Sequence, residues 1–451
     1  MSDTDDTDAT GDGPTGAVPP AVDGWPVVGN TVQFMRDPFG FYDRAGTYGD
    51  VVRMEAFGRE VVQIRHPEAI RRILVEDQDR YRKSALLRDA TGEIAPEGLF
   101  AVEGEQWRRI REVVQPAFTA RAVQSYADVV VEEAATLADG LEDGQRIDVA
   151  AATRSLTLDV LGRAMFGRDF RDVASEVAEA TEAIDDRLDV GSVSRLFPPW
   201  VPTPTNRRFR RTMDALDDVI ADLVRERRDR DAPGEDLFGR LVAAREQGAL
   251  DDAELRDQVF TFLFAGHETT SMALAYTLCS LAGSPSAYGR LLAEADALDG
   301  DPTVADLPSL DHTERVVDEG MRLYPPVFAL FREPTEDVRI RGYHLPAGTE
   351  LSLPSYSVHR DERWWDDPST FDPDRWRDDG DRPEYAYFPF GGGPRACIGS
   401  RFATLELRLA LATLARRVRF DLPADQSAHP DLRMSVTLQP AEPIELVARD
   451  R

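Results

Sequence analysis

The sequence predicts a mainly α-helical protein with a minor β portion, folded as one large domain. Residues 67–297 read as helical almost throughout, broken only by Pro/Gly punctuation near 96–98, 198–204 and 233–234. The stretch 251–283 is apolar nearly all round, the mark of a helix buried on every side. β-like runs are confined to 51–65, 328–360 and the end of the chain, and no Ser/Gly-rich linker or 20–50-residue repeat divides it.

Taken in order, residues 1–20 are Asp, Thr, Gly and Pro with almost nothing to bury, which reads as an acidic flexible tail before a domain spanning 21–451. Ordered chain is expected from about Trp25. The match of Gly11–Gly16 to G-x-G-x-x-G is rejected as a dinucleotide site, because no strand precedes it and Pro14 sits inside it. Val51–Phe57 and Val61–Arg65 flank the turn Gly58–Arg59 and predict a hairpin. Asp251 with Glu254 three residues on resembles a capping box, and Gly283 with Pro285 marks the far end of that helix. A final helix is expected from Gly399 to about Arg417, followed by a β-like tail.

Composition excludes several functions. The chain has 451 residues and a formal charge of −29, so it lacks the basic surface that nucleic-acid phosphates require. Of its 53 basic residues, Lys83 is the only lysine. A GC-rich genome is the bland reading of an acidic, arginine-rich composition; adaptation to concentrated salt, where screening removes self-repulsion, is the favoured one and points to a halophilic, haloarchaeal-type source. Cys279 and Cys397 cannot make a disulfide framework, so a reducing compartment fits. No signal peptide or membrane-length apolar run is present, which implies a soluble, cytoplasmic protein.

The charge is uneven. Segments 107–121 and 395–419 hold ten arginines (Arg108, Arg109, Arg111, Arg121, Arg395, Arg401, Arg408, Arg416, Arg417 and Arg419) against Glu112 and Glu406.

The strongest local signal is Phe390-Gly-Gly-Gly-Pro-Arg-Ala-Cys-Ile-Gly399. Its glycines and proline make a tightly bent loop, and a helix follows at once. Cys397 therefore sits near a helix N-terminus, where free N–H groups and the dipole favour a thiolate suited to a soft metal or haem iron. A lone Cys is ordinarily an inert core residue, but a Gly-rich approach and a helix start together favour a ligand. The overlapping G-x-G-x-x-A pattern at Gly391–Ala396 lacks a βαβ setting and is discounted.

Phe390, Gly393, Arg395, Cys397 and Gly399 resemble the haem-binding loop of the cytochrome P-450 haem-thiolate monooxygenases. Three further segments extend the resemblance. Glu319-Gly-Met-Arg322, with Arg375 in Phe371-Asp-Pro-Asp-Arg-Trp376, is similar to the family's structural Glu–Arg–Arg lock. Ala265-Gly-His-Glu-Thr-Thr270 is similar to its oxygen-binding groove, in which Gly266 would open the helix and Glu268 and Thr269 would pass protons to bound oxygen. The bland alternative is that Thr269 bonds back to its own helix and Glu268 caps a buried neighbour. Trp107 and Arg111, at i,i+4, with Arg332 and Arg395, resemble the residues that meet the haem carboxylates.

The resemblance implies a P-450 fold, haem b and an O2-dependent monooxygenase. Cys397 would be the axial ligand, and Ala265 would border the haem. Gly98-Leu-Phe100 is similar to a segment of the soluble bacterial fatty-acid hydroxylases. It implies that Leu99 and Phe100, with Ala265 and Val327, Phe328 and Ala329, line an apolar substrate: a fatty acid, terpenoid, carotenoid or steroid. With no flavin or ferredoxin segment in the chain, electrons would come from a separate ferredoxin and its reductase, docked on the arginine-rich segments. A peroxide-driven hydroxylase and a non-catalytic haem sensor are the alternatives; an intact Glu268–Thr269 pair argues against both.

Overall fold

A two-helix entry, α1 (Thr31–Arg36) and α2 (Pro38–Gly46), leads into the hairpin of β1 (Val51–Ala56) and β2 (Arg59–Ile64), which pairs as the sequence predicts. The structure, a computed structural model, describes residues 16–192, 197–198, 200–229, 234–378 and 380–451. Most of the 1–20 tail and of the rejected Gly11–Gly16 motif lies outside the described residues, as do Pro199 and Pro233 of the predicted breaks. The chain is held earlier than Trp25: His344 N–H donates to Ala17 O at 3.1 Å and Arg53 N–H to Pro20 O at 2.8 Å.

Next come α3 (Pro67–Arg71), β3 (Tyr81–Lys83), α4 (Ala85–Gly92), α5 (Gly104–Val114), α6 (Ala120–Gln124) and α7 (Ala127–Asp139). They are followed by β4 (Arg146–Asp148), α8 (Val149–Met165), α9 (Ala174–Leu188), α10 (Pro204–Arg228) and α11 (Leu237–Glu246). The helical reading of this half thus missed two strands of three residues each. Such strands are too short for a period-2 signal, and their partners lie far along the chain.

The long helix α12 spans Asp252–Ala282. Its capping box is formed: Asp251 Oδ1 accepts Glu254 N–H at 2.8 Å, and Glu254 Oε2 accepts Asp251 N–H at 3.0 Å. It is buried along most of its length, as its apolar circumference demands, and the main core packs around it. After α13 (Pro285–Asp296) and α14 (Asp311–Leu323) come β5 (Leu330–Pro334), β6 (Val338–Ile340), β7 (Tyr343–Leu345) and β8 (Glu350–Leu353). The chain closes with α15 (Ser355–Val358), α16 (Ser400–Arg417), β9 (Val418–Asp421), β10 (Leu432–Met434), β11 (Leu438–Pro440) and β12 (Glu445–Asp450). The main sheet has the order β1-β2-β8-β5-β3, with β2 and β8 parallel; β4-β12-β9, β10-β11 and β6-β7 are smaller. No helix among the described residues is long and apolar enough to cross a membrane.

Glu319 and Arg322 of α14 are both fully buried, and the burial is offset by complete pairing. Glu319 accepts from Arg322 Nε (2.8 Å) and Nη2 (2.9 Å), Arg375 Nε (3.0 Å), Trp376 Nε1 (2.9 Å) and Asp372 N–H (2.8 Å). Arg322 also donates to the carbonyls of His359 and Pro368, both at 2.8 Å. The three residues expected to act together do meet, and they fasten the 359–376 segment beneath the cysteine loop.

Candidate functional site

The cysteine loop approaches α16 as the sequence predicts. Cys397 lies three residues before Ser400, and its N–H donates to Phe390 O at 2.9 Å. The bend depends on Gly393, which has φ +66° and lies so close to Leu74 that a Cβ would come within 2.0 Å of its carbonyl oxygen. Burial pushes the Cys397 thiol pKa up, while the N–H groups of Gly399 and Ser400 and the charge of Arg111 pull it down. Yet Cys397 keeps an accessible surface. A thiol that is desolvated by its surroundings and still uncovered faces a hollow inside the protein.

The same hollow shows on α12. In the middle of a buried helix, Phe264, Ala265, Gly266 and Thr269 retain accessible surface while His267 and Glu268 have almost none. Phe118 links the two walls: it lies beside Gly399, 3.8 Å from where a Cβ would stand, and stacks on Phe262 of α12 at 5.7 Å.

Two expectations for α12 change. The helix is continuous through Gly266, which is used for close packing instead: a Cβ there would meet Leu161 of α8 at 2.9 Å. Thr269 Oγ1 donates to Ala265 O at 2.9 Å, so in this geometry it offers the hollow a hydrogen-bond acceptor. Glu268 is turned against α8 and β11. It accepts from Arg154 Nε at 3.1 Å and from Gln439 Nε2 at 2.7 Å, and Arg154 also reaches Gln439 Oε1 at 2.6 Å. The Arg154 charge holds the Glu268 carboxyl below its ordinary range against desolvation. Sequence reading missed Arg154 and Gln439, which lie 114 and 171 residues from Glu268 and carry no local signal.

A cluster of cations forms the third wall. Trp107 and Arg111 both reach the cysteine loop from α5. The Arg395 guanidinium lies over the Trp107 ring at 5.8 Å, and Arg111 Nη1 donates to Ala396 O at 3.4 Å. Arg395 also pairs with Glu103 and donates to Tyr81 O at 2.9 Å. Arg332 is 7% exposed, donates to Phe331 O at 2.9 Å, and forms no ion pair among the described residues. Desolvation and then Arg395 lower its pKa to about 10. Directly across the β3–β5 ladder stands the buried Lys83. Like charges set opposite each other in a buried ladder are destabilising unless an anion joins them. Arg111, Arg332 and Arg395, with Lys83 beside them, outnumber Glu103, and that surplus of positive charge suits the two carboxylates of haem b. The donor set therefore fits haem b: a thiol facing a hollow, and uncompensated cations at its edge.

The substrate residues separate. Leu99 (9% exposed) packs in the main core, whereas Phe100 is 47% exposed. Phe328 and Ala329 are buried in a satellite cluster with Phe41 and Met434, and only Val327 of the three keeps partial exposure. Of the arginine-rich segments, Arg109 pairs with Glu254, Arg408 with Glu314, Arg417 with Asp139 and Asp301, and Arg419 with Asp421. Arg416 donates to the carbonyls of Ala295 and Leu298. Only Arg108, Arg121 and Arg401 are exposed without an ion pair among the described residues, so the basic face is smaller than its arginine count.

Comparison with family models matches Cytochrome P450 over residues 19–448. This chain is a cytochrome P450. Its relatives include pentalenene oxygenase of Streptomyces avermitilis, 34% identical over 92% of this chain and 93% of the relative. Cyclooctat-9-en-7-ol 5-monooxygenase of Streptomyces melanosporofaciens is 32% identical over 90% and 89%. A plant relative, cytokinin hydroxylase of Arabidopsis thaliana, is 28% identical over 85% and 77%. The chain is thus a haem-binding monooxygenase of the P450 family.

The Glu268–Arg154 pair generates a pH test. A lowered carboxyl pKa contributes stability that is present above the unfolded pKa and lost as pH falls through the folded one. Arg154→Leu is expected to cost about 3 kcal/mol at neutral pH, the low end for a broken buried pair because Arg154 keeps 32% side-chain exposure. Denaturant unfolding at neutral and acid pH checks this: the gap between the two proteins should close once Glu268 is protonated in both.

Proposed function

We propose that this P450 hydroxylates a cyclic terpenoid, with Cys397 as the axial haem ligand and electrons from a ferredoxin and its reductase. The supporting observation for the chemistry is the uncovered thiol of Cys397 set in a hollow against the exposed strip of α12. The substrate class rests on the relatives, whose names specify pentalenene and cyclooctat-9-en-7-ol. Phe264 and Ala265, the apolar residues of α12 that keep accessible surface, suit such a molecule, since they offer area and shape with few polar anchors.

When bound, haem supplies activation of O2 and its transfer to a C–H bond. The chain's own residues do the rest. Trp107, Arg111, Arg332 and Arg395 would hold the haem carboxylates. Phe390 and Gly399 shape the loop that aims Cys397. Thr269 Oγ1 accepts a hydrogen bond from the hollow, and donates one after leaving Ala265 O. Glu268 can pass a proton toward Thr269 only after its contact with Arg154 loosens and it has taken one up from water, so Arg154 and Gln439 set when the relay opens.

Arg108, Arg121 and Arg401, on α5, α6 and the start of α16, form the docking face for an acidic ferredoxin. The rest of the acidic surface keeps the protein hydrated in concentrated salt, and the reaction takes place in the cytoplasm.

Two measurements test the reading. Titration with cyclic sesquiterpene or diterpene hydrocarbons and alcohols should shift the haem to high spin and, with ferredoxin, reductase and O2, yield a monohydroxylated product. A shift with straight-chain fatty acids alone overturns the terpenoid assignment. Arg401→Glu should slow ferredoxin-driven reduction about tenfold at low ionic strength, with the deficit shrinking as salt screens the face. An unchanged rate removes Arg401 from the docking face.

A further inference from the structure

The single lysine is the anomaly that the reaction does not absorb. Wherever a basic side chain is needed this chain uses Arg, 52 times, but position 83 is Lys. That lysine is 7% exposed. Its Nζ donates to Leu99 O at 2.7 Å and to Val102 O at 2.9 Å, and its N–H donates to Glu103 Oε1 at 2.7 Å. Three bonds from one residue thus seize both ends of segment 99–103.

The approach to that segment is held from the other side by α12. Glu97 N–H donates to Asp257 Oδ2 at 2.7 Å, Leu99 N–H to Gln258 Oε1 at 3.0 Å, and Gln258 Nε2 to Glu97 O at 2.6 Å. Gly98 presses so close that a Cβ would stand 2.4 Å from the Thr261 hydroxyl. Thr261 is one helical turn before Ala265. Between the two carbonyls that Lys83 holds, Leu99, Ala101 and Val102 are buried and Phe100 alone is turned out.

Shape explains the exception to arginine. An ammonium radiates three donors from one small centre and can bond two converging carbonyls inside a tight space. A planar guanidinium is wider and sends its donors along fixed directions, so it cannot occupy the same point. Burial and the neighbouring Arg395 and Arg332 pull the Lys83 pKa down to about 7, with Glu103 opposing. Haem carboxylates brought to Arg332 and Arg395 would favour its charged form.

We propose that Lys83 is a positioning residue that fixes Phe100 at the rim of the substrate space by holding the carbonyls of Leu99 and Val102, and thereby sets substrate selectivity. The selectivity half rests on the proposed terpenoid hydroxylation; the positioning half does not.

The test uses haem-loaded protein, scored by its carbon monoxide spectrum, with Lys83→Met and Lys83→Arg compared with wild type. Amide hydrogen exchange across residues 99–103 should rise about tenfold or more in both variants, Arg failing to rescue. The ratio of spin-shift Kd values for a tricyclic sesquiterpene and a small monoterpene should change at least about threefold, and Lys83→Met should leave that ratio unmoved in a Phe100→Ala background. Wild-type exchange in either variant overturns the positioning role. A changed ratio that persists without Phe100 overturns the route through that side chain. If no terpenoid shifts the wild-type spin state, the substrate reading fails while the exchange measurement still decides Lys83. If neither variant loads haem, acylation of the wild-type holoprotein decides. Lys83 should react at least about tenfold more slowly than Nα-acetyl-lysine added as a reference, and equal rates overturn the engaged ammonium.

Discussion

Charge taken out of water must find a partner, and the whole interior of this protein is arranged around that requirement. Glu319 meets it fully: five donors surround one carboxylate, and the result is a rigid joint between α14 and the 359–376 segment. Glu268 meets it through Arg154 and Gln439, which join α12 to α8 and β11. Among the described residues Arg332 forms no ion pair. The satisfied charges build the scaffold, and Arg332, set beside Arg395 and Lys83, marks where a negatively charged group belongs; Glu406 of α16, buried with neither carboxylate oxygen bonded, answers the requirement differently, since burial pushes its carboxyl well up.

This separates holding from acting. The groups around the hollow retain accessible surface or unspent hydrogen-bonding capacity: the Cys397 thiol, the Thr269 oxygen, the Arg332 guanidinium. Behind them, Glu319 and Glu268 have both carboxylate oxygens bonded. Glu268 stands between the two sets. It adjoins the hollow in sequence but is locked in structure, and a second buried carboxyl, Asp185 of α9, is pushed up to about 7 by burial and then by Glu268 itself. Arg154 faces both carboxyls, so α8, α9 and α12 are coupled electrostatically beside the hollow.

How much of this the sequence disclosed follows from range. The hairpin at 51–64, the capping box at Asp251–Glu254 and the helix after Gly399 are written in neighbouring residues, and the structure places them within a residue or two of the reading. Trp107 and Arg111 were legible for the same reason, since i,i+4 puts them on one face. Arg154, Gln439, Glu103 and the grip of Lys83 were not, because each acts on a partner brought near only by the fold. Which of the arginines in the arginine-rich segments are spoken for was not legible either, because acids distant in sequence answer Arg109, Arg395, Arg408 and Arg417. Nor did the sequence disclose that Phe328 and Ala329 pack with Phe41 and Met434 in a satellite cluster, since those partners lie far along the chain.

The account stands or falls on one ligand. Purified haem-loaded protein, reduced and exposed to carbon monoxide, should give the strongly red-shifted Soret band of a thiolate-ligated haem, and Cys397→Ser should abolish that band. The same red-shifted spectrum from Cys397→Ser, or its absence from the wild-type protein, would contradict the assignment of Cys397 as the residue around which the site is built.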